Sequence, residues 1–173
     1  GCNAFCSYCT IPYARGGLRS KDFNTVIKEV TNLVNNGYKE IVLTGIHTGR
    51  YGLEQNTNLE TLLKELVKIK GIFRIRLSSI EINEITDGII ELIKTNDIMA
   101  KHLHIPLQSG SDGVLKRMER KYLMKEYFEN NVLCQLRNMY DKFCIANAFQ
   151  QKTTVVWVEL IDDKFYIHQF VSQ

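Results

Sequence analysis

The chain has 173 residues, enough for one well-buried domain with at most a small appendage. Its 45% hydrophobic and 24% charged residues exclude a disordered polyelectrolyte, and no run approaches the roughly 18 apolar residues that a membrane-spanning helix needs. The net charge of +3 is mild, so a case for nucleic acid rests on where the cations cluster.

The chain opens with GCNAFCSYCTIPYARGG, in which Cys2, Cys6 and Cys9 stand at C-x3-C-x2-C spacing. There are five cysteines, an odd number, and the start has no basic region followed by an apolar stretch. We therefore read the chain as cytoplasmic, where reducing conditions disfavour disulfides and make metal or redox chemistry the default. The spacing is expected to bring three thiolates to one point, with no fourth ligand nearby. Structural zinc closes a tetrahedron with four ligands, so a zinc site would have to recruit His47 or His104. A 4Fe–4S cluster accepts three thiolates and leaves its fourth iron free for a substrate or cofactor. Plain structural thiols are the third alternative.

From residue 20 helical and strand patterns alternate. Phe23, Val26, Ile27, Val30, Leu33 and Val34 mark one apolar helix face, with Ser20 or Asp22 at its start and Gly37 as its stop. Residues 39–44 (KEIVLT) read as a short strand ending at Gly45. Leu59, Leu62, Leu63, Leu66 and Val67 define a second helix that stops at Gly71, and residues 74–80 (RIRLSSI) the next strand. Ile85, Ile89, Ile90 and Ile93 give a third helix, residues 102–107 (HLHIPL) a third strand, and Val114, Leu115 and Met118 a helix beginning near Asp112. Strands separated by helices in this way predict βαβ units and a parallel sheet, with chemistry beyond the carboxyl ends of the strands. The segments that follow the strands, TGIHTGRYG (44–52), SSIE (78–81) and QSGSDG (108–113), are rich in the groups a polar ligand would use, although turns favour the same residues. Cations gather at Arg15, Arg19 and Lys21, and again at Lys116, Arg117, Arg120, Lys121 and Lys125; solvated faces would explain them equally well. Beyond about residue 127 the alternation fades. The end reads as a β-hairpin: a run over 154–161, a turn at Asp162 and Asp163, and a return strand carrying Phe165, Ile167 and Phe170.

The C-x3-C-x-aromatic-C pattern, with Tyr8 as the aromatic, resembles the radical S-adenosylmethionine (SAM) superfamily. The flanking stretches GCNAFCSYCTIPYARGGLRS, KEIVLTGIHTGRYG, RIRLSSIE, ITDGIIELI and HLHIPLQSGSDGVLKRMERKY narrow the resemblance to its methylthiotransferase family, over residues 1 to about 127. Within that family the HTG-x-YG stretch at His47 to Gly52 is similar to the MtaB type. The resemblance implies an α/β fold, a partial radical SAM (β/α) barrel with parallel strands, truncated, and followed by the C-terminal hairpin. Residues 1–127 would be the partial core. Residues 128–173 would be a divergent tail, its hairpin a remnant of the small β-rich tRNA-binding domain that ends family members.

The implied activity is addition of a methylthio group to C2 of N6-threonylcarbamoyladenosine next to the tRNA anticodon, by reductive cleavage of SAM to a 5′-deoxyadenosyl radical. The same chemistry on isopentenyladenosine or on a ribosomal-protein aspartate, or an inactive fragment that at most binds tRNA, are the alternatives. By the resemblance Cys2, Cys6 and Cys9 ligate a 4Fe–4S cluster, Tyr8 lies beside the SAM adenine, Gly45 meets its methionyl end, Ser79 and Glu81 face its ribose, and Gln108 and Ser109 line the same cavity. Arg15, Arg19, Lys116, Arg117 and Arg120 would meet tRNA phosphates, and flavodoxin or ferredoxin would supply electrons. Full-length family members carry an amino-terminal domain with a second, auxiliary cluster, and the chain is expected to lack its ligands. Cys134 and Cys144 match no cluster spacing and read as ordinary thiols.

Overall fold

The structure, a computed structural model, describes residues 1–129, 147–149, 154–161 and 164–171. Helix α1 (Ile11–Arg15), which the sequence patterns did not announce, is a short turn of helix opened by Pro12. Helix α2 spans Phe23–Asn35 and buries Val30 and Val34. Of the two candidate caps Asp22 is the one used: its Oδ1 accepts from Thr25 N at 2.8 Å, while Ser20 Oγ accepts from Gly52 N at 2.8 Å instead. Gly37 and Gly71, each predicted to stop a helix, stand at φ 92° and 100°, where a side chain would be strained.

Strand β1 (Glu40–Leu43) pairs in parallel with β2 (Arg74–Leu77), in the register Glu40↔Arg74 to Leu43↔Leu77. Helix α3 (Leu59–Leu66) connects them, so the chain makes a βαβ unit as its alternation predicts. Leu59, Leu62, Leu63 and Leu66 turn inward and pack with Ile41, Ile75 and Leu77 of the sheet. Helix α4 (Asp87–Thr95) adds Ile89, Ile90 and Ile93 to this core. Its start falls later than the periodicity suggests. Residues Ile82–Glu84 form a 3-10 turn, Ile85 is extended, and Thr86 caps the helix by accepting from Ile89 N at 3.2 Å. Lys101 Nζ donates to the carbonyls of Ile93, Lys94 and Asn96, placing a cation where the helix carbonyls end.

The strand expected at residues 102–107 is not a regular strand. That segment approaches β2 through two isolated parallel bridges, Ile75↔Met99 and Ser79↔His104. The first partners are separated by four residues and the second by five, so one extra residue breaks the ladder as a bulge does. Beyond it Pro106 has no N–H to give, and the carbonyls of Ile105, Pro106 and Leu107 are taken by tyrosine hydroxyls. Tyr127 Oη donates to Ile105 O at 2.9 Å, and Tyr122 Oη lies 2.8 and 2.9 Å from the Pro106 and Leu107 carbonyls. Burial pushes both phenols well above their ordinary pKa, which keeps these donors protonated. Helices α5 (Asp112–Arg117) and α6 (Met124–Glu129) complete this half of the chain. The described residues thus hold an α/β unit of two paired parallel strands with a third segment alongside.

Towards the carboxyl end, β3 (Asn147–Phe149), β4 (Thr154–Ile161) and β5 (Lys164–Val171) form an antiparallel sheet in that order. The expected turn at Asp162 and Asp163 lies outside the described residues, as do Cys134 and Cys144. No helix among the described residues is long and apolar enough to cross a membrane.

Candidate functional site

The cysteine loop is tied down at both ends and in the middle. Cys2 N donates to Gly16 O at 3.1 Å and Leu18 N to Asn3 Oδ1 at 3.0 Å, closing the loop back onto the segment after α1. Ser7 is held by α5 and the residue after it: Ser7 N donates to Met118 O at 3.2 Å, and Ser7 Oγ to Arg117 O at 2.6 Å. Cys9 N donates to Cys6 O at 2.9 Å, folding the last two cysteines into a turn, and Phe5 takes a left-handed φ of 51°. For a bulky residue that conformation is costly, so the surrounding bonds impose it.

All three cysteines are free; Cys6 is buried, Cys2 and Cys9 half-buried. They do not meet at one point, contrary to what the spacing suggests: no three His, Cys, Asp or Glu among the described residues gather closely enough to hold one metal ion. The histidines that a zinc site would need are engaged separately. His47 Nδ1 lies 3.3 Å from Cys2 Sγ while its Nε2 sits 2.6 Å from Glu84 Oε1, and His104 Nδ1 lies 2.7 Å from Ser79 Oγ. Three free thiols on one tethered loop suit a cluster better, because each thiolate then takes its own iron and the sulfurs need not converge. The donor set therefore fits a 4Fe–4S cluster.

Arg120 lies at the centre of the site. Its side chain is only 7% exposed, and its Nη1 is 3.4 Å from both Cys6 Sγ and Tyr8 Oη. Its Nη2 pairs with Glu81 and reaches Tyr122 Oη at 3.3 Å, with the guanidinium stacked 5.0 Å from the Tyr122 ring centroid. The sequence puts Arg120 in a basic surface cluster. The structure turns it inward, because Glu81 supplies the counter-charge that burial of a guanidinium demands. Burial raises the Tyr8 phenol above its ordinary pKa, and Arg120 opposes the rise.

A second buried pair flanks Cys2. Glu84 takes His47 on one side and Arg50 Nε at 3.1 Å on the other. Gly49 makes the approach possible, since a Cβ there would stand 2.3 Å from Glu84 Oε2.

The remaining expected residues distribute as follows. Gly45 and Arg19 line a cavity of about 350 Å³ between α2 and β1, which His47 and Gly1 also border but which none of the three cysteines reaches. Ser79 is exposed and bonded to His104, whereas Glu81 joins the Arg120 cluster. Gln108 sits at a left-handed φ of 66°, and Ser109 is buried, its Oγ accepting from Ser111 N at 3.2 Å. Arg15, Lys116 and Arg117 are exposed at the last turns of α1 and α5, the two helices on either side of the cysteine loop. Glu84 went unanticipated because its partners His47 and Arg50 lie far away in the chain, and Tyr122 because nothing in its local spacing announces that it meets the guanidinium of Arg120 or the Pro106 and Leu107 carbonyls.

The model of the radical SAM superfamily matches residues 1–161, and the chain belongs to that superfamily. Curated relatives sharpen the likeness. A threonylcarbamoyladenosine tRNA methylthiotransferase MtaB of Bacillus subtilis is 55% identical over 134 residues, covering 76% of this chain and 30% of the relative. Its namesake in Thermotoga maritima is 43% identical, covering 84% and 33%. A tRNA-2-methylthio-N(6)-dimethylallyladenosine synthase of Thermodesulfovibrio yellowstonii is 39% identical, covering 85% and 33%. The chain thus spans about a third of the length of the curated relatives it matches.

Proposed function

We propose that this chain carries the cluster- and SAM-binding part of a tRNA methylthiotransferase acting on N6-threonylcarbamoyladenosine, in the cytoplasm. The observation that carries the reading is the tethered loop of three free thiols with Arg120, Tyr8 and Glu81 packed around it. When bound, a 4Fe–4S cluster would supply the electron for reductive cleavage of SAM. What the chain's own residues do is hold and exclude. Cys2, Cys6 and Cys9 would be the ligands, held by the Gly16, Arg117 and Met118 carbonyls that fix the loop. Tyr8 would lie by the adenine and Glu81 and Ser79 by the ribose, with Gly45, Gln108 and Ser109 along the same ligand.

Exposed Arg15, Arg19, Lys116 and Arg117 suit phosphate contacts, which position an RNA without reading its bases. Electrons would come from a small carrier such as flavodoxin or ferredoxin. The threonylcarbamoyl reading is favoured by the most similar of these relatives, 55% and 47% identical, whereas the dimethylallyl synthases reach 39–43%, a range that a third MtaB relative at 43% shares. Mass spectrometry of tRNA nucleosides, from a deletion strain complemented with the protein that carries this chain, tests it. The expected result is 2-methylthio-N6-threonylcarbamoyladenosine restored by the intact sequence and absent with Cys6→Ala. Restoration of the methylthio-dimethylallyl nucleoside instead would overturn the choice of acceptor.

A further inference from the structure

Arg120 has five N–H donors in a planar fork and never loses its charge, so its surroundings in the folded chain define its role. Nη2 is spent on Glu81 and Tyr122, which lock the plane of the guanidinium. Nη1 is left facing sulfur, 3.4 Å from Cys6 Sγ, and shares itself with Tyr8 Oη. Nε is buried with no acceptor among the described residues. A fixed cation with one donor on a ligand sulfur and another unspent is more than a structural strut needs. A strut would spend its donors on carbonyls, as Lys101 does at the end of α4.

We propose that Arg120 is a positioning residue for the iron–sulfur site, donating an N–H···S hydrogen bond to Cys6 that raises the reduction potential of the cluster held there. This rests on the cluster reading above and goes beyond it. The physical cause is simple. Reduction adds one negative charge to a cluster already carrying thiolate charge, and a buried cation with a hydrogen bond to a ligand sulfur stabilises the reduced form more than the oxidised one. Glu81 sets the size of the effect, because its carboxylate partly cancels the guanidinium charge. Tyr122 fixes the distance, its hydroxyl tied to the Pro106 and Leu107 carbonyls and its ring stacked on the guanidinium.

The test uses the full chain loaded anaerobically with iron and sulfide and poised at a series of potentials, with the reduced cluster read by electron paramagnetic resonance. Arg120→Met is expected to keep the iron content and to lower the ratio of reduced to oxidised cluster at a given potential about tenfold, a shift of about 59 mV for one electron. An unchanged ratio at full iron content overturns the proposal and leaves the cluster reading standing. Should Arg120→Met fail to load, Glu81→Gln decides. That substitution keeps an acceptor for Nη2 but removes the opposing charge, so the reduced fraction should rise, and an unchanged or lower fraction overturns the proposal. A wild-type chain that takes up no iron overturns the cluster reading and this proposal together.

Discussion

Reconstitution of the wild-type chain with iron and sulfide under anaerobic conditions is expected to leave about four irons per chain, and Cys6→Ala to cut the retained iron at least about tenfold. The expectation follows from the loop. On the proposed reading Cys2, Cys6 and Cys9 would be the cluster's ligands, and of these Cys6 is the buried one, its sulfur facing Arg120. With alanine in its place one iron loses its thiolate, and the guanidinium donor faces a methyl group. Iron and acid-labile sulfide assays check the result. A Cys134→Ala control should retain the full complement. Equal iron in wild type and Cys6→Ala would mean that the metal sits elsewhere.

The second large effect concerns stability. Glu81→Ala leaves the Arg120 guanidinium, 7% exposed, without its counter-charge. Breaking one side of a buried ion pair costs roughly 3–5 kcal/mol, and the lower end applies because the Glu81 side chain is 22% exposed. Glu40→Ala offers the contrast, since its partners Arg74 and Arg76 are 42% and 34% exposed and such pairs contribute about 0–1 kcal/mol. Urea unfolding of the two variants should therefore separate them by about 2–3 kcal/mol. Equal losses would refute the assignment of Glu81 and Arg120 as a buried pair.

Local signals explain what could be read from the chain in advance. Apolar residues at three and four residue intervals announce α2, α3 and α4, although α4 starts after Ile85, because a helix face needs nothing beyond its own periodicity. The parallel pairing of β1 and β2 follows from the helix between them. The segment 102–107 misled because its composition is that of a strand, while a bulge, a proline and two tyrosine hydroxyls from elsewhere in the chain set its conformation. The site divides the same way. Loop spacing is local, so the three cysteines stand out in the sequence, but the single meeting point that their spacing suggests is not seen among the described residues. Arg120 looked like one cation among several in KRMERK, and only Glu81, some forty residues earlier, turns it inward. Glu84 was invisible for the same reason, since its partners His47 and Arg50 come from the loop after β1, across α3 and β2.

The central proposal is that this chain binds SAM at an iron–sulfur site and cleaves it reductively. Its most direct test is the formation of 5′-deoxyadenosine from SAM by the iron-loaded chain after addition of a strong reductant, measured by liquid chromatography. The prediction is 5′-deoxyadenosine with the wild type and none with Cys6→Ala. A wild-type chain that holds its full iron and still forms none would contradict it.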